Sequence, residues 1–191
     1  MSTDRSASRA SRATTVVRVA AIVALLAVSA SLSIPIGPVP ITLQMLVLFA
    51  AALIVSPKEF LAGVSGYLLI GALGLRVFSG FKGGVGVLFG PTGGFLIGFL
   101  VAAILVRVVF HGGERASLMG DVVKLLIVLA GSYLFGWIQL QIVTGMDPVA
   151  AFVAGIAPFF LIDLAKAGFA FLVARSVKMA LGIRTENESC S

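Results

Sequence analysis

The chain has 191 residues, 59% of them hydrophobic and only 12% charged, with a mean hydropathy of +1.13; a soluble domain carries about a quarter charged residues, so an integral membrane protein is expected. A net charge of +6 would suit nucleic-acid binding, but the basic residues lie in the tails and between apolar runs, where positive charge sets membrane orientation, and nucleic acid is discounted as a partner. Cys190 is the single cysteine, in a polar tail, and His111 the single histidine, in a loop-like His-Gly-Gly-Glu-Arg stretch, so neither a disulfide framework nor a Cys/His metal cluster is available.

Residues 1–15, rich in Ser, Thr and Ala with Arg5, Arg9 and Arg12, cannot bury enough apolar surface to fold and predict a disordered basic cytoplasmic tail. Residues 16–34 form the first expected span. Val28-Ser29-Ala30 resembles a signal-peptide cleavage site, but the apolar run is long for a signal and further spans follow, so a retained helix is expected. Ala20 and Ala24, and again Ala27 and Ser31, recur at spacing four and lay a shallow stripe along one helix face. Either another chain or the chain's own bundle can approach it. Residues 34–44 hold Pro35, Pro38 and Pro40, which remove amide donors and exclude regular helix, so a stiff uncharged connector is predicted.

A short second span is expected over residues 42–55, then a turn at Ser56-Pro57-Lys58-Glu59 and a third span over residues 60–75. Gly63-Val64-Ser65-Gly66 invites comparison with the nucleophile motif of rhomboid proteases. That comparison fails on chemistry, because no later span supplies a histidine base for Ser65, and Gly63 and Gly66 are read as packing residues. Residues 74–94 are dense in glycine, which permits tight backbone turns close to a ligand. A phosphate loop is excluded: no Gly-Lys-Ser or Gly-Lys-Thr sequence occurs and Lys82 precedes its glycines. The fourth span covers residues 92–110, the fifth 122–143, a re-entrant or interfacial piece 149–157, and the sixth runs from Pro158 to about residue 181. A polar cytoplasmic tail, 182–191, closes the chain.

The sixth span carries Asp163 and Lys166 inside its apolar run. A charge near the centre of a membrane helix costs about 2.5–3.5 kcal/mol on insertion scales, so such groups face a cavity, a partner charge or a substrate path. Three residues apart on a helix, the two share a face. They form either an ion pair that pins the helix or a polar ligand site. With the N-terminus inside, eleven of the fourteen basic residues fall in inner segments (Arg5, Arg9, Arg12, Arg18, Lys58, Arg107, Arg115, Lys124, Arg175, Lys178 and Arg184). Six spans with both termini cytoplasmic follow from the positive-inside rule. Arg76 and Lys82 are the exceptions, in the outer glycine-rich loop, which is therefore expected to meet something polar or anionic. Asp163 lies five residues into the last helix, roughly 7–8 Å below its outer end.

Four separated motifs, Gly37-Pro38-Val39-Pro40-Ile41-Thr42-Leu43-Gln44, Tyr67-Leu68-Leu69-Ile70-Gly71 with Gly74-Leu75, Gly90-Pro91-Thr92-Gly93-Gly94-Phe95, and Pro158-Phe159 with Asp163 and Lys166, resemble the BioY family. Those proteins are the biotin-specific S components of energy-coupling factor (ECF) transporters, and the resemblance runs in order over about residues 16–181. It implies an all-α, six-helix membrane protein in the cytoplasmic membrane that captures biotin from outside and is not an enzyme. It implies as partners a transmembrane coupling (T) protein and a pair of cytoplasmic ATPases, with Ala20 and Ala24 as the docking surface for the coupling protein. Arg76 stands where family members often have proline, and Phe95 where they often have tyrosine.

Biotin offers a ureido ring with two N–H donors and one carbonyl acceptor, an apolar sulfur ring, and a carboxylate on an aliphatic tail. Asp163 can accept from a ureido N–H, and Lys166 can donate to the ureido oxygen or neutralise Asp163. Gln44, Thr42 and Tyr67 are further expected polar contacts, and Lys82 is expected to meet the ligand carboxylate. For Thr42 and Gln44 the alternative is capping within the connector, and for Tyr67 an interfacial anchor. Phe78, Phe159 and Phe160 are candidate apolar walls. An S component for another small vitamin, an intramembrane hydrolase around Ser65 and a structural membrane protein are the competing functions; no cofactor is expected.

Overall fold

The computed structural model describes residues 2–35, 37–111 and 117–180, with side chains from Arg12 onward. Arg115, Arg184, Cys190 and the expected tail at 182–191 lie outside the described residues. Helix α1 (Ser2–Ser31) begins inside the stretch read as a disordered tail over residues 1–15. Those residues contain neither Gly nor Pro, so nothing breaks the helix as it propagates out of the apolar run.

The proline connector folds back on itself as a two-stranded antiparallel ribbon, β1 (Ser33–Ile34) and β2 (Ile41–Thr42), with Ser33 opposite Thr42 and Ile34 opposite Ile41. All three prolines fall between the paired residues, where no ladder amide is needed. Helix α2 (Gln44–Ile54) has 11 residues, about 16 Å, half the roughly 30 Å of a hydrocarbon core. The second expected span is thus a buried half-length helix. It packs chiefly on α7 (Ala157–Ala180) and also on α1 and on α5 (Leu118–Thr144).

Helix α3 (Pro57–Ala72) starts at a capping box: Ser56 Oγ accepts from the Glu59 amide at 3.3 Å, and a Glu59 carboxylate oxygen accepts from the Ser56 amide at 3.0 Å. Arg18 of α1 reaches the other Glu59 oxygen at 3.4 Å. Along the α1–α3 seam Gly63 and Gly66 lie under Ile22 and Val23, and a methyl at Gly63 would stand 2.6 Å from Ile22. The packing role read for this glycine pair holds.

The glycine-rich loop, residues 73–92, contains an antiparallel bridge between Phe78 and Lys82 and a 3-10 turn at Val85–Val87. Gly84, at φ +95°, turns its amide onto the Gly71 carbonyl at 2.7 Å, a conformation that L side chains rarely take. Helix α4 (Gly93–Val109) then runs along α5. Gly94, Gly98 and Ala102 recur every fourth residue, and a methyl at Gly98 would lie 2.6 Å from the Gly131 carbonyl. This small-residue face brings the two backbones together.

Asp147 caps the short helix α6 (Pro148–Gly155), accepting from the Val149 and Ala150 amides at 3.0 and 3.1 Å. Its eight residues, about 12 Å, match the expected piece that does not cross. At the far end of α7, Lys178 donates to both oxygens of Asp121 on α5 at 3.0 Å, a buried pair between the last turns of one helix and the first turn of the other. Among the described residues, three helices are long and apolar enough to cross a bilayer: α1 from Arg12, α5 and α7; α2 and α4 are shorter apolar helices. The core around Leu26, Leu48, Phe49, Phe60 and Val106 is buried, yet Val108, Ile142, Leu161 and Leu172 are exposed on the outside. Apolar surface both inside and out is what lipid as solvent requires.

Candidate functional site

Proline connector, glycine-rich loop, α6 and the start of α7 meet at one end of the bundle around a cleft of about 650 Å³, its mouth included. Phe78, Phe95, Phe99 and Phe159 with Met45 and Leu96 make apolar walls, and Asp163, Tyr133, Gln44, Thr42 and Ser79 bring polar groups to it. Mostly apolar walls with a few placed polar groups are the usual build of a small-molecule site.

Asp163 is the cleft's charged group, 4% exposed. It sits six residues into α7, about 9 Å from the helix start. Among the described residues each carboxylate oxygen has one donor: Lys166 Nζ gives to Oδ1 at 2.7 Å and Tyr133 Oη gives to Oδ2 at 2.8 Å. A carboxylate offers about four acceptor positions, so lone pairs remain for a ligand donor. Lys166 Nζ also donates to the Thr42 carbonyl at 2.8 Å. The ammonium therefore balances the carboxylate and ties α7 to the ribbon strand β2, an outcome that includes the pinning role read for the pair and still leaves Asp163 facing the cleft.

Thr42 and Gln44 both line the cleft, and both also do connector work. The Gln44 amide donates to Thr42 Oγ1 at 3.4 Å, and Gln44 Nε2 donates to Tyr67 Oη at 2.8 Å. Tyr67 is fully buried, donates to the Val77 carbonyl at 3.0 Å and meets Phe78 edge-on at 5.5 Å between ring centroids. Full burial corrects the interfacial-anchor reading, and Tyr67 does not line the cleft: packing holds it behind Gln44 as a post under the loop. Lys82 is exposed on the loop and does not line the cleft. Its backbone pairs with Phe78 on both sides, Phe78 N–H to the Lys82 carbonyl at 2.9 Å and Lys82 N–H to the Phe78 carbonyl at 3.3 Å. Phe160 faces a separate apolar groove with Trp137 and Phe152.

Two site residues escaped the sequence reading. Tyr133 lies in the middle of an apolar helix, where an aromatic reads as core. Ser79 sits in a glycine-rich loop, where serine reads as a turn residue. Yet the buried Ser79 Oγ has no hydrogen-bond partner among the described residues, and an orphaned hydroxyl at a cleft wall is a signal that only the structure carries. Ala20 and Ala24 are exposed on α1, away from the bundle. Ser65 is half-buried on α3, while His111 is exposed at the end of α4 with Nδ1 2.9 Å from the Val108 carbonyl. No hydrolytic pair is assembled from them.

The chain is similar to the probable biotin transporter BioY of Pyrococcus horikoshii, 36% identical over 154 residues covering 81% of this chain and 90% of that protein. It is similar to the biotin transporter BioY of Thermotoga maritima at 38% identity, covering 81% and 89%. Its fold resembles the crystal structure of the S-component for biotin from an ECF-type ABC transporter, with a TM-score of 0.76, 22% identity, and 91% and 97% of the two chains covered. The BioY family model matches residues 2–183, and with three of the four stretches that carry the resemblance in sequence lining the cleft, the chain belongs to the BioY family.

Proposed function

We propose that this chain is a biotin-capturing S component of an ECF-type transporter. In this reading it is a multi-pass protein of the cytoplasmic membrane that takes biotin into the cleft from outside. It works with a transmembrane coupling protein and cytoplasmic ATPases, and is a binding subunit rather than an enzyme. The observation that carries this is Asp163: a buried carboxylate, held by Tyr133 and Lys166, aimed into an apolar cleft. The two N–H bonds of a cyclic urea diverge, so one carboxylate takes one of them. Ser79 Oγ and the Gln44 amide oxygen are the acceptors available for the other, and the aromatic walls suit the sulfur ring and aliphatic tail. Asp163, Lys166, Gln44, Thr42 and Ser79 are thus the proposed ligand residues, with Tyr133 as the support of Asp163.

Six crossings with both termini cytoplasmic are the topology this function needs. Helices α3 and α4, of 16 and 17 residues, reach about 24–26 Å, and α2 is lengthened by the ribbon before it. Arg12, Arg18, Lys58, Arg107, Lys124, Arg175 and Lys178 gather at the end away from the cleft, in support of that end being cytoplasmic. Residues 16–181 are read as one membrane unit. Ala20 and Ala24, small and exposed, are the proposed contact with the coupling protein. Equilibrium binding of labelled biotin to the purified, detergent-solubilised chain tests the reading. Saturable binding that excess unlabelled biotin displaces and other vitamins do not is expected; absence of saturable binding by folded protein, or preference for another vitamin, would overturn it.

A further inference from the structure

The second half of the glycine-rich loop supplies Val87 and Thr92 to the cleft wall. Its own hydrogen bonds are local turns: Val87 to Gly84, Leu88 to Val85, Gly90 to Val87 and Gly93 to Gly90. Turns of this kind shape a segment without saying where it sits. Among the described residues, the hydrogen bonds that join residues 85–92 to a different helix come from one side chain: Gln139 Nε2 on α5 donates to the Leu88 carbonyl at 2.7 Å and to the Gly90 carbonyl at 2.8 Å. An amide nitrogen has two N–H bonds, so one group spends its full donor capacity on two carbonyls two residues apart. Packing reinforces the choice. A methyl at Gly93 would run into the Leu88 carbonyl and stand 2.7 Å from Gln139 Nε2, so the loop lies flat against the first turn of α4 only because residue 93 has no side chain.

Gln139 lies six residues along α5 from Tyr133, about 9 Å on the helix axis. One rigid helix therefore carries both the donor that orients Asp163 and the clamp on the loop that walls the same cleft. We propose that Gln139 is a positioning residue that pins the 85–92 loop over the cleft and so sets how fast a bound ligand leaves. The ligand part rests on the biotin reading above; the loop part does not.

Amide hydrogen exchange of the full chain, with and without biotin, is the test, joined to the dissociation rate of labelled biotin. Gln139→Leu removes both donors and strands two carbonyls; exchange at residues 85–93 is expected to rise at least tenfold while the α1–α3 core stays as in wild type. Biotin dissociation should quicken by a similar factor with little change in association rate. Gln139→Glu, which points acceptors at acceptors, should act in the same direction and more strongly, and Gln139→Lys, which can still donate, should restore slow loop exchange. A merely structural residue would raise exchange throughout the bundle and would not be rescued by lysine. Unchanged loop exchange in both Gln139→Leu and Gln139→Glu overturns the proposal even where biotin binds normally. Wild-type protein that binds no biotin overturns the biotin reading instead, and the loop measurement still decides the clamp.

Discussion

Asp163→Asn keeps the size of the side chain and removes its charge. In the native cleft the carboxylate accepts from Lys166 at 2.7 Å and from Tyr133 at 2.8 Å, with lone pairs left for a ligand. Asparagine has a single acceptor oxygen, which cannot serve all three, and its NH2 group then faces a donor. Loss of one charge-assisted hydrogen bond costs about 1.5–3 kcal/mol, so the dissociation constant for biotin should rise by roughly one to two orders of magnitude at about 1.4 kcal/mol per tenfold. Lys166→Met should do comparable harm, since it strands a buried carboxylate and cuts the tie to the Thr42 carbonyl. The double variant separates the two roles of the pair. Replacing a buried ion pair by neutral groups of similar volume is often nearly harmless to folding, yet the ligand has still lost its polar contact. The assay is equilibrium binding of labelled biotin to detergent-purified protein, with a monodisperse elution profile as the check on folding. Wild-type affinity in the Asp163→Asn, Lys166→Met double variant would refute the reasoning and leave the pair as a structural pin.

Ser79→Ala removes an orphaned hydroxyl and no protein hydrogen bond, so thermal stability should hold or rise while biotin affinity falls about 3–10-fold, the worth of one neutral hydrogen bond; unchanged affinity would remove Ser79 from the site. Ala20→Leu with Ala24→Leu should abolish co-purification with the coupling protein and stop uptake while leaving biotin binding intact, because both positions are exposed outside the bundle; loss of binding would show that this face supports the cleft. The purified chain should hydrolyse no ATP, and uphill accumulation of biotin in vesicles should require the ATPase partners; intrinsic ATPase activity would contradict the assignment.

Much of the helical fold was legible because lipid imposes a simple rule on sequence: apolar runs and the polar stretches between them locate helices. Asp163 and Lys166 stood out for the same reason, as charges where charges are costly. What could not be read locally were contacts made across the bundle. Tyr133 bonds to Asp163 across 30 residues, and Lys166 to the Thr42 carbonyl across 124, so no window of sequence contains both partners. The burial of Tyr67 behind Gln44 and the exposure of Lys82 on the loop were equally hidden, because a hydroxyl and an ammonium give no local sign of how the loop places them. The ribbon was hidden by its prolines, which forbid helix but say nothing about strands pairing on either side. Helix α1 outran its apolar stretch because a polar segment without helix breakers extends a helix already nucleated by its neighbour.

The central claim, that Asp163 receives the ureido ring, is tested most directly by a crystal structure of the chain with biotin bound. The account predicts one ring N–H at about 2.7–3.2 Å from an Asp163 oxygen, Tyr133 and Lys166 still on the carboxylate, and the second ring N–H on Ser79 or Gln44. Biotin seated in the apolar groove among Trp137, Phe152 and Phe160, or placed in the cleft with its ring turned away from Asp163, would contradict it.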